Sequence, residues 1–411
     1  FSPMKQFFLI LILLSTSGAF AEDLDLKMSV IKELYQLSPK ECNDIRFKDA
    51  SNEEIQLGKL LFESKVLSGN DEIACINCHL DEFSITDGLP LAIGVNGIGE
   101  GMDRMSHGMG VIVPRNAISL IGVGHKSFSQ FFWDGKVSAG SDGNIYSQLG
   151  TKMSNTFSNA LAVAAVMPLL ERDELIGSNR KNNEISKAVD EKLYNDKFNA
   201  VSEVIVKKFG NNGPGTKEIN ELALSMGIQK IDLKIIGEHL ATFIANEFKC
   251  SESLFDRYLA GDSNLTDTQK RGAITFYGEG RCATCHSGNF FRNNSFHSIG
   301  VYQGKFGPHS RHRDIGRAGV TFRLEDLYKF RTPTLVNIKN TSPYGHNGSF
   351  ETLEDVVIQH FNPVYIFSEE ERKNKFLDAG AALGSRDKIL GAIRISNEGV
   401  LKDLINFLEI L

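Results

Sequence analysis

The chain has 411 residues, with 45 Lys and Arg against 51 Asp and Glu for a formal net charge of −6, and 41% of its residues are hydrophobic. An acidic balance of this kind argues against nucleic acid as a partner. The length suits two domains with substantial cores, and no stretch reaches the roughly 18 apolar residues of a membrane span.

The first element reads as an export signal. Met4 and Lys5 give a short positive start, Phe7 to Leu14 an apolar centre, and Ala19-Phe20-Ala21 a small-x-small cleavage site before Glu22. Residues 1–21 are therefore expected to be a cleavable signal, with Phe1-Ser2-Pro3 a short extension ahead of Met4. Its removal takes away only Lys5, leaving 44 basic against 51 acidic side chains and a net of −7. The mature protein is expected to be exported and soluble. In an oxidising compartment Cys42 and Cys250 can form a disulfide or remain two separate buried thiols.

Ser51-Asn-Glu-Glu54 is a capping box, and Leu57, Leu60, Leu61 and Phe62 follow at helical spacing. Next comes Cys75-Ile-Asn-Cys78-His79. Two thiols three positions apart can both add to the vinyl groups of one haem, and the adjacent imidazole can then ligate the iron. From Gly94 to Gly110 six of seventeen residues are glycine, which predicts a mobile loop. Gly97-x-Gly99-x-Gly101 has neither a strand before it nor a helix signal after it, so a phosphate-cradling role is not expected.

Leu233, Ile236, Leu240, Phe243, Ile244 and Phe248 mark a helix expected to open a second domain. Thr266-Asp-Thr-Gln269 is another capping box, followed by Gly272-x-x-x-Phe276 and then Cys282-Ala-Thr-Cys285-His286. This repeats Gly58-x-x-x-Phe62 ahead of the first motif, the way a cytochrome c domain begins. The expected fold is mainly α, with two cytochrome c-like domains over 22–232 and 233–411. Each carries one covalent c-type haem wrapped by long loops.

Each haem needs its second axial position filled or left open. Of the eight methionines, none follows the second motif, so His or Tyr is expected to close the second haem. The histidines after His286 are His297, His309, His312, His346 and His360. His360 lies on the helical stretch Thr352–Phe361, whose rigid backbone can aim an imidazole, and spacing alone favours it slightly. His346 lies in a turn.

Several further motifs stand in one order: Thr86-Asp-Gly88, Pro114-Arg-Asn116, Phe132-Trp-Asp-Gly135, Pro168 with Glu174 six residues later, Phe330-Arg-Thr-Pro-Thr-Leu-Val-Asn337, and Pro343-Tyr-x-His-x-Gly348. With the two Cys-x-x-Cys-His sites they make the chain, over roughly residues 45 to 410, resemble the bacterial dihaem cytochrome c peroxidase and MauG family. That resemblance implies a peroxide-reactive first haem held by Cys75, Cys78 and His79. It implies an electron-transfer haem held by Cys282, Cys285 and His286, with Trp133 between the two. Glu174 matches the family's distal acid. The second haem's sixth-ligand position is Met in many peroxidases and Tyr in MauG; here it is His360, which implies bis-His ligation. His346 is then a turn residue near the haem edge.

Where the peroxidases place a reversible distal His, this chain has Val95 after Ile93-Gly94. The first haem is therefore expected to be open, with His107 or a loop methionine (Met102, Met105 or Met109) as the other ligand choices. The resemblance also implies a calcium ion between the domains, at the Asn116 side chain and the Thr341 and Pro343 carbonyls. Arg311, His312, Arg313, Arg317 and Arg323 can neutralise haem carboxylates, dock a donor or simply be solvated. The expected function is a periplasmic peroxidase reducing hydrogen peroxide with electrons from a small cytochrome c or cupredoxin. The alternative is a MauG-like enzyme that uses peroxide to oxidise side chains of a partner protein. Family members are often homodimers.

Overall fold

The computed structural model describes residues 23–411 apart from 107, 179–182, 191, 193, 304–306, 310–313 and 366–382. The expected signal segment and His107 lie outside the described residues. So do Arg311, His312 and Arg313.

The helices that build the cores are α1 (Leu24–Leu34), α2 (Asn52–Glu63), α3 (Ala160–Val166), α4 (Leu233–Glu247), α5 (Asp267–Tyr277), α6 (Leu353–Phe361) and α7 (Glu398–Leu408). Both expected capping boxes form. The Ser51 N–H donates to Glu54 Oε2 at 2.7 Å and the Thr266 N–H to Gln269 Oε1 at 2.9 Å. Strands are short: β1 (Gln130–Phe131), β2 (Val137–Ala139) and β3 (Ile145–Ser147) form an antiparallel sheet, and β4 (Phe296–His297) pairs with β5 (Phe330–Arg331). The second pair sets Phe296 opposite Arg331 and His297 opposite Phe330.

The buried apolar side chains form two clusters. In the first, α2 crosses α4 at Gly58, where a Cβ would lie 2.1 Å from the His239 carbonyl oxygen. In the second, α5 crosses α7 at Gly272, where a Cβ would lie 2.0 Å from the Asp403 carbonyl oxygen. Any side chain there would force the helices apart, so glycine is required for backbone approach rather than for a turn. Phe62 and Phe276, one turn on, are 3% and 1% exposed. The repeated Gly-x-x-x-Phe is thus one packing device used twice.

The clusters do not follow the chain simply. Met28 and Ile31 of α1 sit in the second cluster, where Tyr35 Oη donates to the Tyr277 carbonyl at 2.7 Å. The apolar face of α4, expected to open the second domain, packs in the first. The expected boundary at 232/233 therefore runs through packed structure, because that face finds α2 and α3. Cys42 and Cys250 form a disulfide across 208 residues, and both pack in the first cluster. The four cysteines of the two Cys-x-x-Cys-His motifs are unpaired.

Candidate functional site

Both Cys-x-x-Cys-His segments fold as a tight turn with the histidine N–H returned to the first cysteine. The His79 N–H donates to the Cys75 carbonyl at 3.1 Å, and the His286 N–H to the Cys282 carbonyl at 2.8 Å. His79 Nδ1 donates to the Ile85 carbonyl at 3.0 Å, and His286 Nδ1 to the Phe291 carbonyl at 3.0 Å. A carbonyl can only accept, so each Nδ1 holds the proton and each Nε2 is left bare to ligate a metal. Burial lowers both imidazoles' proton affinity, that of His286 to about 4, which keeps the rings neutral.

His360 receives the same treatment from α6. Its Nδ1 donates to the Val356 carbonyl one turn back at 2.7 Å, and burial lowers its proton affinity too. Its ring faces His286 with the centroids 6.5 Å apart and the planes at 62°. A metal held from both sides by imidazole nitrogens at about 2 Å would separate the two ring centres by about 6 Å. The gap fits one iron. His286, His360, Cys282 and Cys285 line one cavity with Trp133 and His346.

Buried cations at and behind that cavity call for an anion. Arg331 lines it and Arg292 packs on the ring of Phe128, which lines it. They are 4% and 9% exposed, and burial lowers their proton affinity to about 9 and about 10. Arg292 Nη1 has no hydrogen-bond partner among the described residues. Buried cationic donors without a matching carboxylate suit the carboxylates of a haem. These two arginines add to the basic run expected from the sequence, of which Arg311, His312 and Arg313 lie outside the described residues. Of that run Arg317 is occupied, donating to the Asp134 and Gly135 carbonyls at 2.9 and 2.8 Å, and Arg323 is exposed.

Trp133 is fixed from both sides. Its Nε1 donates to the Asn116 carbonyl at 3.0 Å, and its own carbonyl accepts from the Arg331 N–H at 2.7 Å. Next to it Asp134 takes Arg115 Nη1 at 2.6 Å, while Arg115 also forks onto Asp314 at 2.7 and 2.8 Å. His346 is 3% exposed, stacks on Phe330 at 3.7 Å, and leaves Nε2 without a hydrogen-bond partner among the described residues. Asn116 meets the Pro343 carbonyl through Nδ2 at 2.9 Å, and both line the cavity with Thr341. An amide NH2 cannot ligate a cation, so calcium at this spot needs the amide turned to present its oxygen.

The surroundings of the first Cys-x-x-Cys-His differ. The Ile93 carbonyl lies 3.9 Å from Cys78 Sγ, and Val95, 2% exposed, joins the first apolar cluster. Glu174 stands on a wide turn over Arg172–Ile176, with the Ile176 N–H donating to the Glu171 carbonyl at 3.0 Å and the Gly177 N–H to the Arg172 carbonyl at 2.9 Å. Such i to i+5 turns recur at functional sites. The turn presses on Gly94, where a Cβ would lie 1.7 Å from the Asp173 carbonyl oxygen.

Glu174 is half-buried, and burial pushes its carboxyl up to about 7, against the pull of Lys136. Lys136 itself bridges to Glu171 at 3.2 Å. Burial raises the Cys75 thiol to about 12, and the neighbouring Glu174 charge adds to the rise. The carboxyl therefore stands beside the first Cys-x-x-Cys-His motif, able to hold or give up a proton near neutral pH.

Two residues here carry more than the sequence suggested. Asp87, 1% exposed, is pushed up to about 6 by burial and has one carboxylate oxygen without a hydrogen-bond partner among the described residues. Arg104, 2% exposed, donates to the Ile93, Gly94 and Gly99 carbonyls at 2.9, 2.6 and 3.1 Å. It pins the glycine-rich loop, which also holds a one-turn helix over Asp103–Ser106 that its composition did not signal.

Comparison with known proteins agrees with these features. The family model described as di-haem cytochrome c peroxidase matches residues 52–264. The cytochrome-c peroxidase IdrP2 of Denitromonas iodatirespirans is 27% identical over 334 residues, covering 75% of this chain and 74% of that protein. The methylamine utilization protein MauG of Methylorubrum extorquens is 27% identical over 315 residues, covering 75% of this chain and 68% of that protein. A crystal structure of a MauG-like protein associated with microbial copper homeostasis shares the fold, with a TM-score of 0.61 over 96% of this chain and 95% of that one at 24% identity.

Proposed function

The chain belongs to the di-haem cytochrome c peroxidase family, oxidoreductases that act on peroxide, and from this premise we propose that it reduces hydrogen peroxide in the periplasm with electrons from a small cytochrome c or cupredoxin. The observation that carries the reading is the contrast between the two sites. His286 and His360 face each other at 6.5 Å, whereas beside the first motif stand Val95, which cannot ligate, and Glu174.

When bound, the two haems supply the iron that accepts peroxide and the redox capacity for two electrons. Cys75, Cys78 and His79 hold the first, and Cys282, Cys285, His286 and His360 the second. Glu174 takes a proton from the nearer peroxide oxygen and returns it to the farther one. A carboxyl near 7 is suited to both halves of that transfer. Trp133, held rigid by Asn116 and Arg331, gives electrons an aromatic route from the cavity of His286 and His360 toward the first Cys-x-x-Cys-His motif. Two electrons and two protons then convert one hydrogen peroxide to two waters. A hard cation at Asn116, Thr341 and Pro343 would brace the backbone to which Trp133 is bonded.

His360 supports a second reading. An imidazole in place of a thioether lowers the potential of the second site and favours a diferric resting enzyme. Such an enzyme, like MauG, can turn its oxidising power on side chains of a partner protein. Both readings are tested by adding peroxide to the as-isolated, haem-loaded protein and then offering reduced cytochrome c. Rapid cytochrome oxidation is the expected result. A long-lived oxidised state with little cytochrome turnover favours the second reading, and an absence of spectral response sinks both.

A further inference from the structure

Methionine is used in two ways in this chain. Met28, Met153 and Met167 are 1%, 8% and 0% exposed and fill the cores. Met102, Met105 and Met109, three of the eight methionines within one short loop, are 60%, 42% and 65% exposed. Single exposed apolar side chains need no explanation, but a cluster does.

The loop is not simply loose. Arg104 lies between the first two methionines, points inward and is bonded to three backbone carbonyls. With the arginine held inside, its neighbours are held outside. The Met105 N–H donates to the Met102 carbonyl at 3.1 Å, and the Gly108 N–H to the Met105 carbonyl at 3.3 Å. Successive i to i+3 turns stack side chains three apart on one face. Met102 and Met105 are thereby aligned, and Met109 follows one residue beyond the next position. Each thioether swings on three rotatable bonds, so the three sulfurs can converge. A Cβ at Gly108 would meet nothing within 4 Å, so the approach to Met105 and Met109 is open.

We propose that Met102, Met105 and Met109 form a thioether site for cuprous ion. Thioethers are soft ligands that select Cu(I) and bind Zn(II), Ca(II) or Mg(II) poorly. Unlike thiols they need no deprotonation, and the six cysteines are committed to the disulfide and the two Cys-x-x-Cys-His motifs. Glu82 and Glu100, exposed on and beside the loop, favour the approach of a cation. The site is independent of the peroxide reading, which leaves the first haem open; the three methionines, offered by the sequence as alternative haem ligands, are exposed at the surface.

The test uses the haem-loaded full chain under anaerobic conditions, titrated with Cu(I) against a chromogenic Cu(I) chelator. One equivalent should be withdrawn from the chelator, and X-ray absorption of the copper-loaded protein should show sulfur neighbours. The triple variant Met102→Leu, Met105→Leu, Met109→Leu keeps bulk and apolarity but lacks sulfur. It should bind about a hundredfold more weakly or worse, with unchanged haem spectra. The proposal is overturned if the natural protein takes no Cu(I), if the triple variant takes it equally well, or if the absorption spectrum shows no sulfur around copper.

Discussion

At the first attachment site a capped helix crosses its partner at Gly58, buries Phe62 and runs on to a histidine anchored on the Ile85 carbonyl. At the second, a capped helix crosses at Gly272, buries Phe276 and runs on to a histidine anchored on the Phe291 carbonyl. The attachment machinery is nearly the same, and the opposing residues are not. Opposite His286 stands a second imidazole; near Cys75 and Cys78 is a carboxyl near 7, with the buried Val95 bonded to the same turn through the Asp173 carbonyl. On the proposed reading, the difference teaches that the repeat would only attach a cofactor. That cofactor's reactivity would then be set by side chains supplied from elsewhere in the chain, on α6 for one site and on the turn at Glu174 for the other.

The largest expected effect comes from removing the carboxyl. Glu174→Gln should slow the reaction with peroxide by about 10²–10⁴-fold, measured by stopped-flow, with haem content unchanged. The same experiment has a pH signature. Burial raises the Glu174 carboxyl to about 7, and the proton-accepting form is the carboxylate, so the natural enzyme's rate should rise as pH increases through about 7. The glutamine variant should lack that limb.

His360→Met works on the other side of the comparison. It should raise the potential of the second haem by on the order of 100 mV, a fraction of the roughly 0.8 V that axial ligands command. A redox titration that finds no change would remove His360 from the ligand set. Trp133→Phe should leave the initial reaction with peroxide intact while slowing the spectral response of the second haem, so equal rates at both haems would argue against the route. The smallest effect on peroxide chemistry is expected from Cys42→Ser with Cys250→Ser. That pair should cost up to about 4–5 kcal/mol of stability in denaturant titrations while leaving the peroxide rate unchanged.

Much of this was legible in the sequence because it is local. The Cys-x-x-Cys-His motifs, the boxes at Ser51 and Thr266, and α6 capped by Thr352 all depend on residues within a few positions of one another. The absence of methionine after residue 226 pointed to a histidine or a tyrosine, and the family resemblance to His360. What stayed hidden depends on contacts far apart in sequence. Nothing in the composition of α1 says that Met28 and Ile31 belong with Phe276, or that α4 packs on α2. Arg104 looked like one more loop charge, because its partners are carbonyls, which carry no sequence signature. Arg292 and Arg331 were overshadowed by a conspicuous basic run, and only burial distinguishes them.

The central claim is that the two haem sites are unequal at rest, one closed by a second imidazole and one open. Electron paramagnetic resonance of the as-isolated, fully ferric, haem-loaded protein tests it most directly. The account predicts one low-spin signal from the His286–His360 site and one high-spin signal from the His79 site, in equal amounts. Two low-spin signals, or two high-spin signals, would contradict it.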